Sequence, residues 1–299
     1  MPTLLSCADP LDPRRTDPHF AAETAAAREL GATVGLIDHD RLLAGDIAAA
    51  VRKVPRAAGP AWYRGWMIPS AAYSALADAL AARGTPLMIG AAAYRTAHEL
   101  PGWYETFEAV TPASRWLSGP PGQVPDTATL ARLATPLGGG AGIVKDFVKS
   151  AKHVWDTACY IPDLTDSAGL HRIVAAFVAE QDRYLAGGIV LRAFESFGAG
   201  ARRAAEARVW WLDGVPLLVG AHPDTPDERP VPPLDRVAAC VARLDARFVT
   251  TDLAVREDDV WRVVEVGDGQ VSDLPAGTAP ELIVGALLGT PDRRTVSPN

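Results

Sequence analysis

Residues 138–150 read GGGAGIVKDFVKS, a glycine run followed by an apolar stretch that carries two lysines. This order excludes a P-loop, in which glycines and lysine wrap phosphates between a strand and a helix. Here the glycines come first, and apolar and polar residues then alternate over 143–148 as they do in a strand. The pattern therefore predicts a strand that presents the ammonium group of Lys145 on one face of a sheet. Such a lysine either faces solvent at a sheet edge or holds an anion such as phosphate.

Composition restricts the class of protein and its partners. The chain has 299 residues, 48% of them hydrophobic, so it can bury a large core and form two domains or lobes. Its formal net charge of −7 argues against nucleic acid or an anionic membrane as the main partner. Three cysteines without C-x-x-C spacing support neither a disulfide framework nor a structural zinc site. Since the pattern shows neither a signal peptide nor a membrane span, we expect a soluble, cytoplasmic protein.

Before the glycine run, strands alternate with helices, which predicts a mainly parallel sheet in a first lobe ending near Leu117. The predicted strands are 3–7, 32–37, 62–67 and 86–89, and an amphipathic helix is predicted over 70–83. The next stretch, SGPPGQVP at 118–125, has the composition of a linker.

Beyond the linker the pattern changes to α+β. A polar loop follows the lysine-bearing strand, and Asp166 is expected to cap a helix over 167–185. The remaining predicted elements are a strand at 189–194, a hairpin at 207–219, a helix at 234–247, a second hairpin at 248–266 and a helix at 279–288. The second half thus reads as two α+β pieces.

Asp252 and Glu265 lie on the two arms of the second hairpin, and the length of its turn decides whether they share a face. A two-residue or four-residue loop puts both on one face, whereas an unbulged three-residue loop puts them on opposite faces. Two carboxylates on one partly buried face repel unless a cation lies between them, and Mg²⁺ is the natural cation. Asp268, at the predicted strand exit, could add a third oxygen ligand. The alternative is a solvated acidic edge of the hairpin.

Cations interrupt two other strands. Arg192 lies within the apolar run 189–194, and Glu206 and Arg208 share one face of the strand that opens the first hairpin. Glu206 could pair with either arginine, which is the structural explanation. The alternative is that Lys145, Arg192 and Arg208 face a polyphosphate, with the arginines as forked donors.

The order of these motifs resembles the ATP-grasp superfamily, and in particular a clade of small ATP-grasp proteins with the same strand-borne lysine and arginines. The matching segments are VKDFVKS at 144–150, VLRAF at 190–194, EARV at 206–209 and EVGDGQ at 265–270. The resemblance implies an N-terminal α/β domain with a mainly parallel sheet over 1–120, which helps to form the second-substrate site. It also implies an ATP-grasp domain over 121–299, whose α+β subdomains, about 121–187 and 188–299, clasp ATP.

The resemblance further implies a set of residues that bind ATP. Lys145 would contact the adenine side or the α-phosphate. The others would form a flexible loop over the phosphates, main-chain contacts to adenine, and contacts to ribose and the rest of the nucleotide; in that order they are Lys149, Ser150 and Lys152, then Val190, Leu191 and Ala193, then Glu195 and Glu206.

The implied metal ligands for Mg²⁺ are Asp252, Glu265 and Asp268. The implied catalytic residues, which would offset phosphate charge, are Arg192, Arg208 and Lys149.

The chain departs from the broader family pattern at two positions. Gly267 stands where many ATP-grasp enzymes have the asparagine of Glu-x-Asn, so either Asp268 replaces it or the second metal ion is held less firmly. Thr250 stands where many have an arginine that stabilises the oxyanion, a task that Arg208 could take.

The stretch WYRGW at 62–66 places a cation among aromatic rings at a strand end. Arg64 and Trp66 would suit a carboxylate-bearing or aromatic substrate, while a buried structural arginine is the alternative.

The leading hypothesis is an ATP-dependent ligase that joins a carboxylate to an amine through an acylphosphate and releases ADP and phosphate. The alternatives are an ATP-grasp phosphotransferase and a non-catalytic nucleotide-binding module. We expect ATP and Mg²⁺ as cofactors and small-molecule or peptide carboxylates and amines as substrates. A homodimer stays open as the assembly state.

Overall fold

The computed structural model of the chain describes residues 2–198, 205–223, 225–275 and 277–292. Strands in these residues form three sheets, one parallel and two antiparallel. The fold is mixed α/β and α+β, which confirms the predicted class. None of the helices in the described ranges is long and apolar enough to cross a membrane.

The parallel sheet has the strand order β2-β1-β3, formed by Thr3–Cys7 (β1), Val34–Ile37 (β2) and Ala61–Arg64 (β3). All residues of β1 and β3 are buried, as expected for parallel strands covered on both faces. The helices of this part are Ala21–Glu29 (α1), His39–Leu43 (α2), Ile47–Ala50 (α3), Ser70–Ala82 (α4), Ala91–His98 (α5) and Leu100–Phe107 (α6).

Residues 86–89 do not form the predicted fourth strand. Leu87 makes only an isolated parallel bridge with Ala61. A longer ladder is disfavoured because Pro86 has no N–H group to donate.

The second sheet is antiparallel, with the order β4-β7-β5-β6. Its strands are Ser114–Ser118 (β4), Gly142–Lys145 (β5), Tyr160–Ile161 (β6) and Gly188–Ala193 (β7), and its helices are Thr127–Ala134 (α7), Trp155–Ala158 (α8) and Ser167–Gln181 (α9). Asp166 caps α9 as predicted, by accepting from the N–H groups of Ala168 and Gly169. The helix ends earlier than predicted, because Asp182 has a φ of 46° that a helix cannot continue through.

Sheet membership bears on the proposed domain boundaries. Strand β4 begins within the range predicted for the N-terminal domain, yet it pairs with β7. Strand β7 falls in the range of the second subdomain, yet it also pairs with β5 of the first. The boundaries near 120 and 187 remain predictions, and the pairing favours positions before Ser114 and after Ala193.

The third sheet is antiparallel, with the order β11-β10-β8-β9. It consists of Glu206–Leu212 (β8), Val215–Ala221 (β9), Phe248–Val255 (β10) and Trp261–Asp268 (β11), and the helices of this part are Asp235–Val241 (α10) and Pro280–Gly289 (α11). Asp213 and Gly214 both have positive φ, which is the conformation that a two-residue hairpin turn needs and confirms the predicted turn.

Apolar clusters join the three sheets. One combines the parallel sheet with α11. A second combines α6 with the third sheet and also includes Phe147 and Val190. A third lies between the second sheet and the helices α7 and α9. Because the second cluster spans both antiparallel sheets, it brings β7 close to β11.

Candidate active site

The chain turns sharply directly after Lys145. Asp146 Oδ1 accepts from the N–H groups of Val148, at 2.7 Å, and Lys149, and its Oδ2 accepts from Ala186 N at 3.0 Å. Lys145 and Ser150 then form an antiparallel bridge. The strand predicted over 143–148 therefore ends at Lys145, because Asp146 offers the backbone a turn in place of the ladder.

Lys145 and Arg192 are buried cations on one face of the second sheet. Lys145 is opposite Val190, two residues before Arg192, so the two side chains project to the same side. They are 5% and 3% exposed, so the solvent-facing alternative for Lys145 is wrong. Burial lowers the pKa of Lys145 and lowers that of Arg192 to about 10, while the negative charge of Glu265 opposes both shifts.

The contacts of these cations are incomplete. Lys145 Nζ donates to Val148 O at 3.3 Å. Arg192 donates from Nε to Ser114 Oγ at 3.0 Å and from Nη1 to Val264 O at 2.7 Å, but its buried Nη2 has no hydrogen-bond partner in the described chain. Nor does any described carboxylate form an ion pair with either cation, so the region has unused capacity for an anion.

The last hairpin places Asp252 directly opposite Glu265, so the two carboxylates share a face as the metal hypothesis requires. The turn itself has three residues, 257–259, since Arg256 N donates to Val260 O at 3.0 Å. A β-bulge at Val264 restores the parity that this turn would otherwise reverse. The unpaired carbonyl of Val264 is the one that Arg192 bonds.

Asp252 is already engaged by Arg208. Arg208 Nε and Nη2 donate to the two carboxylate oxygens of Asp252, each at 2.8 Å, and His222 Nε2 lies 3.3 Å from Oδ2. Burial alone would raise the pKa of Asp252, but the hydrogen bonds from Arg208 and His222 lower it to about 2. No ion pair joins Glu206 to Arg192 or Arg208 among the described residues, so the pairing of Glu206 with an arginine is wrong.

His222 is a site residue that sequence reasoning missed. It lies just beyond β9, its Nε2 is 2.9 Å from Arg208 Nη2, and its Nδ1 is 3.9 Å from Glu206 Oε2. No local motif marks it, because the pairing of β8 with β9 determines its position.

Glu265 differs from Asp252 in having no hydrogen bond or ion pair to any described residue. It is half-buried and close enough to Lys145 and Arg192 for its charge to influence both. It is therefore the carboxylate of this site that is free to bind a cation.

Asp268 does not lie with the other two carboxylates. It is opposite Val249 and three residues beyond Glu265, so it projects from the other face of β11. It is fully buried, and Oδ1 accepts from Gln270 N at 2.9 Å and Gln270 Nε2 at 3.1 Å. Its assignment as a third metal ligand is wrong, and the described part of the chain contains no cluster of three or more His, Cys, Asp or Glu suited to a metal ion.

The predicted phosphate loop is accessible. Lys149 and Lys152 are exposed and Ser150 is half-buried. The ammonium groups of the two lysines make no contact with described residues, so they are free to meet a ligand.

The predicted adenine contacts are only partly compatible with the structure. Strand β7 lies between β4 and β5, so the main-chain groups of Val190 and Leu191 are used in pairing, and their assignment to adenine is wrong. Ala193 N donates to Ala113 O at 2.8 Å. Glu195 accepts from Arg262 at 2.9 and 3.0 Å, so a ribose contact would compete with this pair.

An aromatic group at the end of β7 was not predicted. Trp155 and Tyr160 stack at 5.6 Å, and the exposed ring of Phe194 meets Tyr160 edge-on at 5.4 Å. These rings offer an apolar surface beside the predicted adenine position.

Arg64 is a structural residue, so its assignment to substrate is wrong. It is buried, and its Nε and Nη2 donate to Glu23 at 2.6 and 2.7 Å while Nη1 donates to Gly269 O and Ser272 O. Trp66 is partly exposed, and its Nε1 donates to Asp17 Oδ2 at 2.9 Å. It lines a cavity of about 280 Å³ at the carboxyl ends of β1 and β2.

A family described as an ATP-grasp domain, family 3 of its clade, matches residues 136–287, just over half of the chain. The chain belongs to the ATP-grasp family. The match spans every strand that carries the cations and carboxylates described above. A search of curated protein sequences finds no match.

Solved structures of ATP-grasp proteins share the fold over nearly the whole chain. D-cycloserine synthetase DcsG is 16% identical with a TM-score of 0.60, and the match covers 96% of this chain and 99% of that one. An ATP-grasp RimK domain protein from Sphaerobacter thermophilus is 15% identical with a TM-score of 0.58, covering 96% and 100%. ATP-grasp ligase PsnB, complexed with minimal precursor, Mg and ADP, is 14% identical with a TM-score of 0.56, covering 96% of each chain.

The residues fit a nucleotide and at least one metal ion. The orphaned Nη2 of Arg192 and the single hydrogen bond of Lys145 suit phosphate oxygens. Unpaired Glu265 suits Mg²⁺, which proteins often hold through one or two carboxylates and substrate phosphates. Asp252 fits this role only if it shares its oxygens with Arg208.

Proposed function

We propose that the protein is an ATP-dependent ligase that joins a carboxylate to an amine through an acylphosphate and releases ADP and phosphate. The observation that carries the proposal is the group formed by Lys145, Arg192 and Glu265. Two buried cations without a carboxylate partner in the described chain lie near a carboxylate that is itself unpaired. Bound ATP with Mg²⁺ would satisfy all three.

The reaction needs no nucleophilic side chain. An oxygen of the substrate carboxylate attacks the γ-phosphorus, and the bond between that phosphorus and the bridging oxygen breaks as ADP leaves. The amine nitrogen then attacks the acyl carbon and loses a proton, while the bond from carbon to the phosphate oxygen breaks. Catalysis of this kind depends on positioning and on charge that offsets the growing negative charge.

The side chains divide this work by position. Lys145 and Arg192 hold phosphate oxygens, and Arg192 offers the N–H of Nη2 that is otherwise unused. Arg208, oriented by Asp252, adds charge on the opposite sheet. Glu265 holds Mg²⁺, which supplies positive charge shared among phosphate oxygens when bound. Lys149, Ser150 and Lys152 cover the phosphates and exclude water.

The comparisons support the ligase class and its cofactors. One structural relative is named as a synthetase and another as a ligase complexed with minimal precursor, Mg and ADP. Cys7, Cys159 and Cys240 are free and buried, which supports a reducing compartment such as the cytoplasm.

The experiment combines ATP and Mg²⁺ with a panel of carboxylates labelled with oxygen-18, and uses hydroxylamine in place of the unknown amine. We expect carboxylate-dependent ADP release, an acyl hydroxamate, and one labelled oxygen in the phosphate. A stable phosphorylated acceptor without labelled phosphate would identify a phosphotransferase instead. Nucleotide binding without turnover on any acid would identify a binding module.

A further inference from the structure

We infer that a groove between the N-terminal part and the second sheet binds an apolar peptide that carries a carboxylate, and directs this carboxylate toward the nucleotide. The inference rests on the proposed function, because it names the class of the acid substrate. The groove is formed by the end of α2, the loop between β3 and α4, the end of α5, the turn after β5 and residues 181–187.

The size of the groove favours a ligand larger than a single amino acid. Its volume is about 970 Å³. Sites that enclose drug-sized ligands have volumes of roughly 300–1,000 Å³, so this groove lies at the upper end. A peptide of a few residues fits it better than a small acid, which would leave most of the groove filled with water.

Apolar side chains form much of the exposed wall. Leu43 is 51% exposed, Met67 38% and Tyr184 72%, although all three are large apolar or aromatic residues. They come from three distant segments of the chain, and the fold brings them to one groove. Exposed apolar groups gathered in this way indicate a binding surface.

The accessible charge in the groove is positive. Lys149 has no side-chain partner among the described residues, and Arg183 is fixed against Tyr184 by a 2.8 Å hydrogen bond to its hydroxyl and by contact with its ring. The two acidic residues of the lining are already engaged. Glu99 accepts from Ser70 Oγ and Arg95 Nε, and Asp146 accepts from main-chain N–H groups. A carboxylate is the complementary ligand group.

The groove also reaches the predicted nucleotide site. Asp146, Val148 and Lys149 line it, and Val148 O accepts from Lys145 Nζ on the inner side of the same turn. A carboxylate held at Lys149 would therefore lie beside the cation that we assign to ATP.

Polar groups in the lining favour a peptide over an acyl chain. Gln181 has no hydrogen bond to a described residue, and Ser70 Oγ, which donates to Glu99, can still accept. An acyl chain would desolvate these groups without replacing their hydrogen bonds, whereas peptide amides can bond to both.

The test uses two libraries of N-acetylated, C-amidated tetrapeptides. Three positions are varied among Ala, Val, Leu and Phe, and the fourth is Glu in one library and Gln in the other. Retention by the full chain is measured by ultrafiltration and mass spectrometry. We expect the Glu library to be retained roughly tenfold better, as a charge-assisted contact would give. Leu43→Asp and Met67→Asp should lower retention of both libraries, and Arg183→Glu should remove the preference for Glu.

The matched control is Val231→Asp, which places a charge on an exposed apolar residue outside the groove lining and should leave retention unchanged. ATP binding, measured by calorimetry, should be unchanged in all four variants. Equal retention of the libraries by the unmodified chain, retention unaffected by the groove variants, or retention of palmitate in place of peptides would overturn the inference. If ATP binds and hydroxamates form without peptide retention, only this inference fails; if ATP does not bind, the proposed function fails.

Discussion

Arg64 and Arg192 are both buried arginines on strands, but their surroundings differ. At the junction between β3 and the end of β11, Arg64 donates from all three of its nitrogens, with Glu23 as a bidentate partner. On β7, Arg192 bonds only a hydroxyl and a carbonyl, and Nη2 has no hydrogen-bond partner in the described chain. A buried arginine with complete contacts holds parts of a fold together, whereas one with an unused donor is available to a ligand.

The same comparison predicts opposite energetic consequences. Removing Arg64 would leave the charge of Glu23 buried and unpaired, which is costly. Removing Arg192 would relieve a desolvation penalty that already lowers its pKa to about 10. Mutations can therefore separate the two roles.

The largest effect is expected from Arg64→Met, because the loss of one partner from a buried ion pair costs about 3–5 kcal/mol of folding free energy. Urea denaturation would measure the loss. ATP affinity of the protein that remains folded should be unchanged. The double variant Glu23→Gln with Arg64→Met is the control and should recover part of the stability. A loss below about 1 kcal/mol would place Arg64 among weakly coupled surface pairs.

Glu265→Gln should lower turnover by roughly 10²–10³-fold, the range seen when a group that stabilises transition-state charge is removed. The substitution keeps the shape of the side chain and deletes the charge that we assign to Mg²⁺. Circular dichroism should show an unchanged fold, and hydroxamate formation would measure turnover. Glu257→Gln, in the exposed turn of the same hairpin, is the control. Equal rates in the two variants would remove the metal role from Glu265.

Sequence reasoning could predict the fold and the cations because their signals are local. Lys145 and Arg192 interrupt apolar alternation, and a charge within such a run needs a reason wherever the chain folds. Asp252 and Glu265 were predicted to share a face, although the actual route is a three-residue turn with a bulge at Val264. Bulges depend on neighbouring strands, and the acceptor that Arg192 finds on Val264 shows how that dependence arises.

The wrong assignments all concern contacts between distant parts of the chain. Arg64 is structural because Glu23 lies on α1, and no pattern around either residue indicates the pair. Asp268 was expected to leave the strand, but β11 continues through it and turns its carboxylate to the other face. His222 meets Arg208 only because β8 pairs with β9. Register and domain packing, rather than local propensity, decide these positions.

Arg192→Met should weaken ATP binding by about 1.5–3 kcal/mol, the contribution of hydrogen bonds to a charged group. Stability without nucleotide should be unchanged or higher, in contrast to Arg64→Met. Calorimetry with ATP and Mg²⁺, paired with urea denaturation of the same samples, would measure both quantities. Lys145→Met should behave in the same way. A variant that is less stable but binds ATP normally would assign Arg192 to the structural class.

Arg208 is intermediate between these two arginines, because it lies in the site yet has a bidentate carboxylate partner. The folded-state pKa of Asp252 is lowered from 3.8 to about 2, so this carboxylate contributes stability that is present above pH 4 and is lost as the pH falls toward 2. The contribution is on the order of 2 kcal/mol. Urea denaturation without nucleotide, repeated between pH 5 and pH 2, would measure it.

Asp252→Asn provides the control, because an amide has no charge to lose over this range. Its unfolding free energy should start lower at pH 5 and fall less steeply with acid than that of the unmodified chain, so that the two curves converge near pH 2. Parallel curves would mean that Asp252 has nearly the same pKa folded and unfolded. Arg208 would then hold its partner too weakly to orient it, and Asp252 would be as free as Glu265 to bind Mg²⁺.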